Sequence, residues 1–243
     1  MRALTLAMLM PLAACNISWS DDDDGPAIAA SGSGTTRSYA ATDFTKIDQR
    51  GPDDIDVRVG SGFSVRAEGD AETLDKIRIA RIGDSLRVGR ARLSGINWNS
   101  GEGIKIYVTM PRIAGANLAG SGDMNIDRVE GGAFDGAIAG SGSMTLGRVA
   151  VEALGLSIAG SGSAAARGTA DMLKINIAGS GDVDGDGLET RGASINIAGS
   201  GSVKAMVDGD AKVSIMGSGD VDLGPKARCK TSKMGAGEVR CGG

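Results

Sequence analysis

The chain has 243 residues and a formal net charge of −4, and 40 of its residues are glycine whereas only three are Phe, two Trp and two Tyr. Because it contains no histidine, the sequence excludes Ser-His-Asp and Cys-His catalysis and His-ligated zinc, and its negative charge provides no basic field for nucleic acid. A hydrophobic share of 41% is sufficient for a packed core, which must be built mainly from aliphatic side chains.

The first 14 residues have the organisation of a signal peptide. Arg2 precedes an apolar run that is too short to span a bilayer. The sequence Leu12-Ala13-Ala14-Cys15 resembles the lipobox of bacterial lipoproteins, in which the chain is cut before the cysteine and the cysteine is acylated. We therefore predict lipidation at Cys15; an ordinary secretory signal followed by a chance cysteine is the alternative. Asn16 at the next position resembles the sorting signal of outer-membrane lipoproteins.

Residues 15–36 are predicted to form a disordered tether. They contain four consecutive aspartates at positions 21–24 and a Gly32-Ser33-Gly34 stretch, with few side chains to bury. The aspartates are interpreted as a solvated charge run rather than a cation site. Such a spacer separates a folded domain from the membrane.

Residues 37–112 are predicted to be β-rich but irregular. Alternating apolar residues indicate strands around 55–59, 63–65, 74–82, 85–88 and 104–110, with turns at 60–62 and 83–84. The segment 89–103 has the composition of a loop and contains Trp98, an aromatic ring able to stack on a sugar. We expect these strands to continue the repeat described next as less regular coils, not to form a separate domain.

Residues 113–243 contain an internal repeat. Ala-Gly-Ser-Gly occurs five times, and two variants, Met-Gly-Ser-Gly and Met-Gly-Ala-Gly, continue the series at 18- to 20-residue spacing. The turns occupy residues 119–122, 139–142, 159–162, 178–181, 198–201, 216–219 and 234–237. A fixed spacing of this kind is typical of a stacked repeat protein.

Apolar positions recur at steps of two on both sides of each turn. The residues three before the turn centre include Leu118, Ile138 and Ile158, and those three after include Met124, Met144 and Val183. Alternation with a period of two indicates strands with one inward face. A short strand pair cannot bury that face alone, so the repeat predicts an all-β parallel β-helix, or β-solenoid, of seven coils with two facing sheets. Glycine permits the turn and the close stacking of backbones.

The last unit places Cys229 and Cys241 at inward positions, where Thr231 and Lys233 also make the terminal coil polar. A polar end coil opposes end-to-end association. In an oxidising compartment the two cysteines could form a disulfide; two buried free thiols are the alternative.

Candidate metal and catalytic residues are few. Asp182, Asp184 and Asp186, followed by Gly187, match the start of a calcium loop. However, Ala193 stands where such a loop has its bidentate glutamate, and the repeat explains the same residues without metal. Outward acids such as Asp123, Asp182 and Asp220 form either a solvated edge or, less simply, a pair of catalytic carboxylates. No cofactor is predicted, with calcium as the one candidate.

The sequence as a whole resembles the head GIN domain family. The resemblance lies in the lipoprotein-like signal, Phe44-Thr45-Lys46-Ile47, the strand at residues 104–111 and the serial Gly-Ser-Gly coils. These are bacterial envelope proteins described as auto-transporter adhesins, and the resemblance implies a β-helical fold without catalytic residues.

The resulting prediction is a non-enzymatic cell-envelope lipoprotein with a surface for binding or adhesion. We expect it to be anchored in the outer membrane and to face the periplasm or the cell surface. Its expected partners are the membrane, a glycan or protein ligand, and further copies of itself. A polysaccharide-acting enzyme and a purely structural or sensing module are the alternatives.

Overall fold

The computed structural model describes residues 25–91 and 103–242. In that part of the chain there are eighteen strands and one short helix. Their bounds are β1 Ala30–Ser31, β2 Thr36–Tyr39, β3 Lys46–Gly51, β4 Asp54–Val59, β5 Ser64–Glu68, α1 Ala71–Leu74, β6 Ile77–Ile82, β7 Ser85–Arg90, β8 Lys105–Met110, β9 Gly115–Gly120, β10 Met124–Ile126, β11 Val129–Gly140, β12 Ser143–Gly160, β13 Ser163–Gly179, β14 Asp182–Gly199, β15 Ser202–Gly217, β16 Asp220–Asp222, β17 Arg228–Met234 and β18 Val239–Arg240.

The regular part is a parallel β-solenoid, which confirms the fold predicted from the repeat. Each of the long strands β12 to β15 forms nearly a whole coil and pairs in parallel with the coils before and after it. The register joins equivalent glycines, since Gly160 pairs with both Gly140 and Gly179. The solenoid has about six turns.

Each coil has a third inward segment that the sequence analysis did not identify. In β12, Met144 and Leu146 lie inside after the turn, and Leu154, Leu156 and Ile158 lie inside before the next turn. Between them Val149 and Val151 are also buried, and the alternation breaks at two exposed pairs. The pairs are Gly147-Arg148 and Glu152-Ala153. A coil therefore bends at two places besides Gly-Ser-Gly, and it encloses its core with three segments.

Two further coils lie beneath the regular ones. Strands β3 and β4 pair in parallel with β9 and β10, and strands β7 and β8 pair in parallel with β3 and β4. The remaining N-terminal strands are antiparallel: β6 pairs with β7, β5 with β8, β2 with β5 and β1 with β2. They form a cap over the N-terminal end of the stack.

The Gly60-Ser61-Gly62 segment is not a solenoid turn. It joins β4 to β5, and strand β8 lies between them, in parallel with β4 and antiparallel with β5. The same three residues that turn each regular coil here connect two strands on either side of a third. The segment differs from the regular corners because no equivalent Gly-Ser-Gly stacks on it in the described residues; strand β8 lies beside it instead.

The prediction of a disordered tether over 15–36 is wrong for residues 25–36. Ala30 and Ser31 pair with β2, the N–H of Ile28 donates to the carbonyl of Ile79 at 2.7 Å, and Ala27 forms a bridge with Ala80. Composition misses these contacts because the segment binds through its main chain to the edge of the cap. Residues 15–24 lie outside the described residues.

No helix in the ranges 25–91 and 103–242 is long and apolar enough to cross a bilayer.

Candidate binding surface

The Gly-Ser-Gly corners stack directly on one another. The carbonyl of Gly140 accepts N–H bonds from Ser161 at 2.9 Å and from Gly162 at 3.0 Å in the next coil. Gly160 has φ +128°, and a Cβ on it would lie closer than 3.0 Å to the backbone of Gly140. Both the dihedral angle and the contact therefore require glycine at this position. The corner is a fixed structural element rather than a phosphate-binding loop.

Outward carboxylates just after the corner bind the backbone of the next coil. A carboxylate oxygen of Asp123 accepts the N–H of Ser143 at 3.1 Å, and one of Asp182 accepts the N–H of Ser202 at 2.9 Å. Asp220 accepts the N–H of Glu238 at 2.7 Å in the same way. These are the acids that the sequence analysis considered as a catalytic pair. In the structure each satisfies a backbone donor between coils, which explains its position without catalysis.

The three candidate calcium ligands do not converge. Asp182 accepts from Ser202, whereas Asp184 accepts the N–H of Asp186 at 3.2 Å. Asp182 and Asp184 alternate outward along one strand, and Asp186 lies where that coil bends. Within residues 25–91 and 103–242 no group of three acidic or sulfur side chains is arranged to hold a metal ion. The contacts of Asp182 join neighbouring coils, and that of Asp184 is local to its own coil.

An open hollow of about 590 Å³ lies beside the N-terminal cap and includes Glu68, Asp70 and Gly103 in its lining. Glu68 pairs with Arg66 at 2.7 Å. Asp70 accepts the N–H of Thr73 at 3.0 Å and caps α1, and these hydrogen bonds from the Thr73 backbone and hydroxyl lower the pKa of Asp70. A general acid at neutral pH needs the opposite shift. Among the described residues that line the hollow, Asp70 therefore does not have the raised pKa of a general acid.

A buried polar cluster that sequence reasoning missed lies in the coil formed by β3 and β4, which we call the first coil. The cluster closes the corner of this coil. Asp53 and Gln49 are each only 2% exposed. The carboxylate of Asp53 accepts from both Nε and a terminal nitrogen of Arg90 and from the N–H of Ile104 at 3.1 Å. This pairing raises the pKa of Arg90. The amide nitrogen of Gln49 donates to the carbonyl of Asp53.

The cluster occupies the place of a Gly-Ser-Gly corner. Gly51 pairs with Gly120, and Gln49 pairs with Leu118 in the inward column. Gly51-Pro52-Asp53 therefore corresponds to residues 120–122 of the next coil. The signal was present in the alternation of Ile55 and Val57 after this segment, which matches Met124 and Ile126 after the next corner.

The two faces that meet at the corners differ in charge. We call the outward side chains two, four and six residues before the turn centre the pre-turn face, and those two and four residues after it the post-turn face. On the pre-turn face cations outnumber anions: Lys46, Arg50, Arg87, Lys174, Lys212 and Lys230 against Asp48 and Asp135. On the post-turn face anions outnumber cations: Asp54, Asp56, Asp123, Asp182, Asp184, Asp220, Asp222 and Glu238 against Lys105, Lys204 and Arg240.

From β9 onward the pre-turn face is also flat, because its central column there consists of small side chains. This column contains Asn117, Ala137, Ser157, Asn176, Asn196, Ser214 and Ser232. Neighbouring members hydrogen-bond along the solenoid axis, for example from the amide of Asn196 to Asn176 at 3.1 Å. The face therefore presents a regular polar surface across the coils.

Tyr107 marks the N-terminal end of the post-turn face. Its ring lies under the guanidinium of Arg66 at 4.9 Å and near the ammonium of Lys105 at 5.7 Å. The carboxylate of Asp56, 2.8 Å from Lys105, raises the pKa of that lysine. The aromatic ring is thus covered by cations rather than open for stacking on a sugar.

In the structure a disulfide joins Cys229 and Cys241, whose Cα atoms are 6.2 Å apart. It links β17 to the residue that follows β18 in the last described coil. The predicted lipidation site Cys15, the aspartates at 21–24 and Trp98 lie outside the described residues.

The stacked coils of the described residues, with their long and regular outer faces, define a parallel β-solenoid. The chain belongs to the head GIN domain family, since the model described as "Putative auto-transporter adhesin, head GIN domain" matches residues 43–225. This confirms the resemblance noted in the sequence.

Solved structures show the same fold. A "putative adhesin" from Bacteroides fragilis NCTC 9343 superposes with a TM-score of 0.77 at 19% identity, covering 85% of this chain and 95% of the other. A "putative lipid binding protein" from Parabacteroides distasonis ATCC 8503 gives 0.69 at 23% identity, with coverage of 87% and 98%. A second "putative adhesin" from that strain gives 0.68 at 18% identity, with coverage of 90% and 98%. At these identities the likeness establishes the fold alone. A comparison with curated proteins finds no match.

Proposed function

We propose that this chain is a non-enzymatic binding or adhesion module of the bacterial cell envelope, anchored by a lipid on Cys15. The observation that carries the proposal is that the outward acids are engaged in hydrogen bonds between coils. Asp123, Asp182 and Asp220 each accept a backbone N–H from the next coil. What remains for function is the outer surface of the coils.

The names of the family and of its structural neighbours support the same reading, because they refer to adhesins and to lipid binding rather than to enzymes. A rigid parallel stack suits this role. Its neighbouring strands lie about 4.8 Å apart, so each outward column repeats one chemical group at that interval. An extended glycan or an extended protein segment is the class of ligand that such a surface matches.

The test is a glycan array and a polysaccharide-hydrolase panel on the chain from residue 25 onward, compared with the same chain carrying Asp123→Asn or Asp182→Asn. We expect binding without turnover. Turnover that is abolished by one of these substitutions, in a variant whose melting is unchanged, would overturn the proposal in favour of an enzyme. An Asp48→Asn variant on the pre-turn face is the matched control for a change of carboxylate to amide.

The lipid anchor is tested separately. Cells that express the full chain are labelled with a radioactive fatty acid, and the same experiment is done with Cys15→Ala. We expect label in the membrane fraction with the unaltered chain and none with the variant. Label that persists in Cys15→Ala would show that the thiol of Cys15 is not the anchor.

A further inference from the structure

The unpaired positive charge of the pre-turn face lies in its C-terminal half. Near the N-terminus, Lys46 pairs with Asp84 at 3.1 Å, and Arg87 lies 3.9 Å from Asp48. In contrast, Lys174, Lys212 and Lys230 form no ion pair with any residue in the described ranges. The net positive character of this face is therefore free to act on a partner over the last coils.

Two of these lysines are direct neighbours. Lys212 of β15 pairs in the ladder with Lys230 of β17, and both are exposed. Like charges directly opposite one another destabilise a sheet. An anionic partner relieves that repulsion, so the arrangement costs least when the face is covered by negative charge.

Exposed methionines stand beside the same lysines. Met216 and Met234 occupy the column next to the corner, where earlier coils have alanine, and they pair with each other in the ladder. They are 64% and 71% exposed, the highest values among the large hydrophobic side chains of the described residues. Between them and the lysines lie only the small side chains of Ser214 and Ser232.

The result is an amphiphilic patch on a flat surface. Unbranched apolar side chains beside lysines, without an aromatic platform, suit the boundary between lipid headgroups and acyl chains. A ligand pocket generally has aromatic side chains in its lining, and none of the residues of this patch is aromatic. We infer that the pre-turn face of the last two coils, with Lys212, Lys230, Met216 and Met234, docks on an anionic lipid bilayer.

The lipid proposed on Cys15 would hold this surface within reach of the membrane. Only this step of the inference rests on the proposed function. Even fully extended, the stretch from Cys15 to Gly25 spans at most about 35 Å. Lipid chains and a basic patch together form the kind of two-signal attachment that holds a domain against a bilayer. The acidic post-turn face is then left for the ligand.

The test uses the chain from residue 15 onward with Cys15→Ser, so that no acyl chain contributes. Its co-sedimentation is measured with vesicles of phosphatidylglycerol and phosphatidylcholine, with vesicles of phosphatidylcholine alone, and with a soluble anionic polysaccharide. We expect binding to the anionic vesicles only, and its loss at about 1 M salt, where the screening length is about 3 Å.

Substitutions assign the binding to the patch. Lys212→Glu with Lys230→Glu should lower partition at least about tenfold, since each basic residue near an anionic surface contributes several-fold. Met216→Ser with Met234→Ser should lower it several-fold. The matched control is Lys204→Glu with Arg240→Glu, which makes the same charge change on the post-turn face and should leave most of the binding in place.

Three results would overturn the inference. They are the absence of binding to anionic vesicles at low salt, equal losses in the two charge-reversal variants, and preferential binding to the soluble polysaccharide. The experiment omits the acyl chain of Cys15 and measures no adhesion, so its failure leaves the proposed function standing. A failure of the lipid-anchor experiment, in turn, does not affect the vesicle binding measured here. Thermal melting of each variant establishes that the solenoid is folded.

Discussion

The regular coils and the first coil beneath them turn the same corner by different means. From residue 140 onward the first and third residues of each corner are glycines that lie against the equivalent glycines of the coil before. In the first coil, Gly51-Pro52-Asp53 makes the corner, and Asp53 and Gln49 are buried there with Arg90. Both corners satisfy their backbone groups, one by stacking and the other by side chains.

The difference follows from the neighbour that each corner has. A regular coil stacks on a copy of itself, so a side chain in place of either corner glycine would recur in every coil and collide with the backbone of the coil before it. The first coil has a regular neighbour on one side only. On the other side it meets β7 and β8, where an Asp–Arg pair has room. Repetition therefore requires glycine, and the end of the repetition permits charge.

The largest effect is expected from one methyl group placed at equivalent corners, which tests whether the stack itself requires glycine. Gly160→Ala meets both a φ of +128° and the backbone of Gly140, whereas Gly51→Ala meets a φ of +121° with no atom near the new Cβ. We expect Gly160→Ala to lower the free energy of unfolding by about 4 kcal/mol or more, and Gly51→Ala by about 1–3 kcal/mol from dihedral strain alone. Urea denaturation measures both. Equal losses would show that the stack contributes nothing to the requirement for glycine.

The charged corner is tested by removing one partner. Asp53→Ala leaves Arg90 without its carboxylate. It should lower the free energy of unfolding by about 3–5 kcal/mol, because breaking a buried ion pair leaves one charge uncompensated. Asp182→Ala removes an exposed carboxylate that accepts one backbone N–H and a hydroxyl, and should cost about 1–2 kcal/mol. Denaturant melts of the two variants under identical conditions give the comparison. A loss in Asp182→Ala as large as that in Asp53→Ala would contradict it.

The two ends of the described stack provide a third test, because an antiparallel cap covers the N-terminal end and a disulfide closes the last described coil. Cys229→Ser with Cys241→Ser opens a loop of 12 residues separation and should cost about 2–3 kcal/mol. Hydrogen exchange should increase in β17 and β18 and remain unchanged in β6 and β7. Unchanged exchange in the last coil would show that its pairing with β15 and β16 holds it in place without the disulfide.

The regular coils were predictable from sequence because the repeat itself is the evidence. Seven corners at fixed spacing determine the register of the inward columns, and the parallel stack follows from the need to cover them. The third inward segment was missed because its residues vary, from Val149 and Val151 to Leu188 and Thr190 in equivalent places. A column that changes from valine to threonine has no visible periodicity.

The corner of the first coil was not recognised because it lacks the repeated motif. Ile47 and Gln49 stand in inward columns, but a buried glutamine contradicts the pattern that identifies a column. The cap was equally invisible, because residues 25–31 bind through main-chain hydrogen bonds that any sequence can make. The charge difference between the pre-turn and post-turn faces, in contrast, can be read from the sequence once the repeats are aligned in register.

The smallest expected effect distinguishes the cap from the coils by pH. Hydrogen bonds from Thr73 lower the pKa of Asp70, and the hydrogen bond from Lys46 lowers that of Asp84; both acids belong to the N-terminal region. A carboxyl whose folded pKa is depressed stabilises the fold above its unfolded pKa of about 3.9, and this stability is lost as the pH falls through the folded value. Acidification below about pH 4 should therefore loosen α1 before the regular coils.

Amide NMR of Thr73 measures this directly, since its N–H donates to Asp70. We expect its titration midpoint below that of a model aspartate and, in Asp70→Asn, no titration at this amide. Asn is itself a good N-cap, so the variant keeps the helix end while it removes the charge. A midpoint at or above that of an aspartate in an unstructured peptide would mean that the cap makes no use of the ionised carboxylate. Acid would then act equally on α1 and on the regular coils.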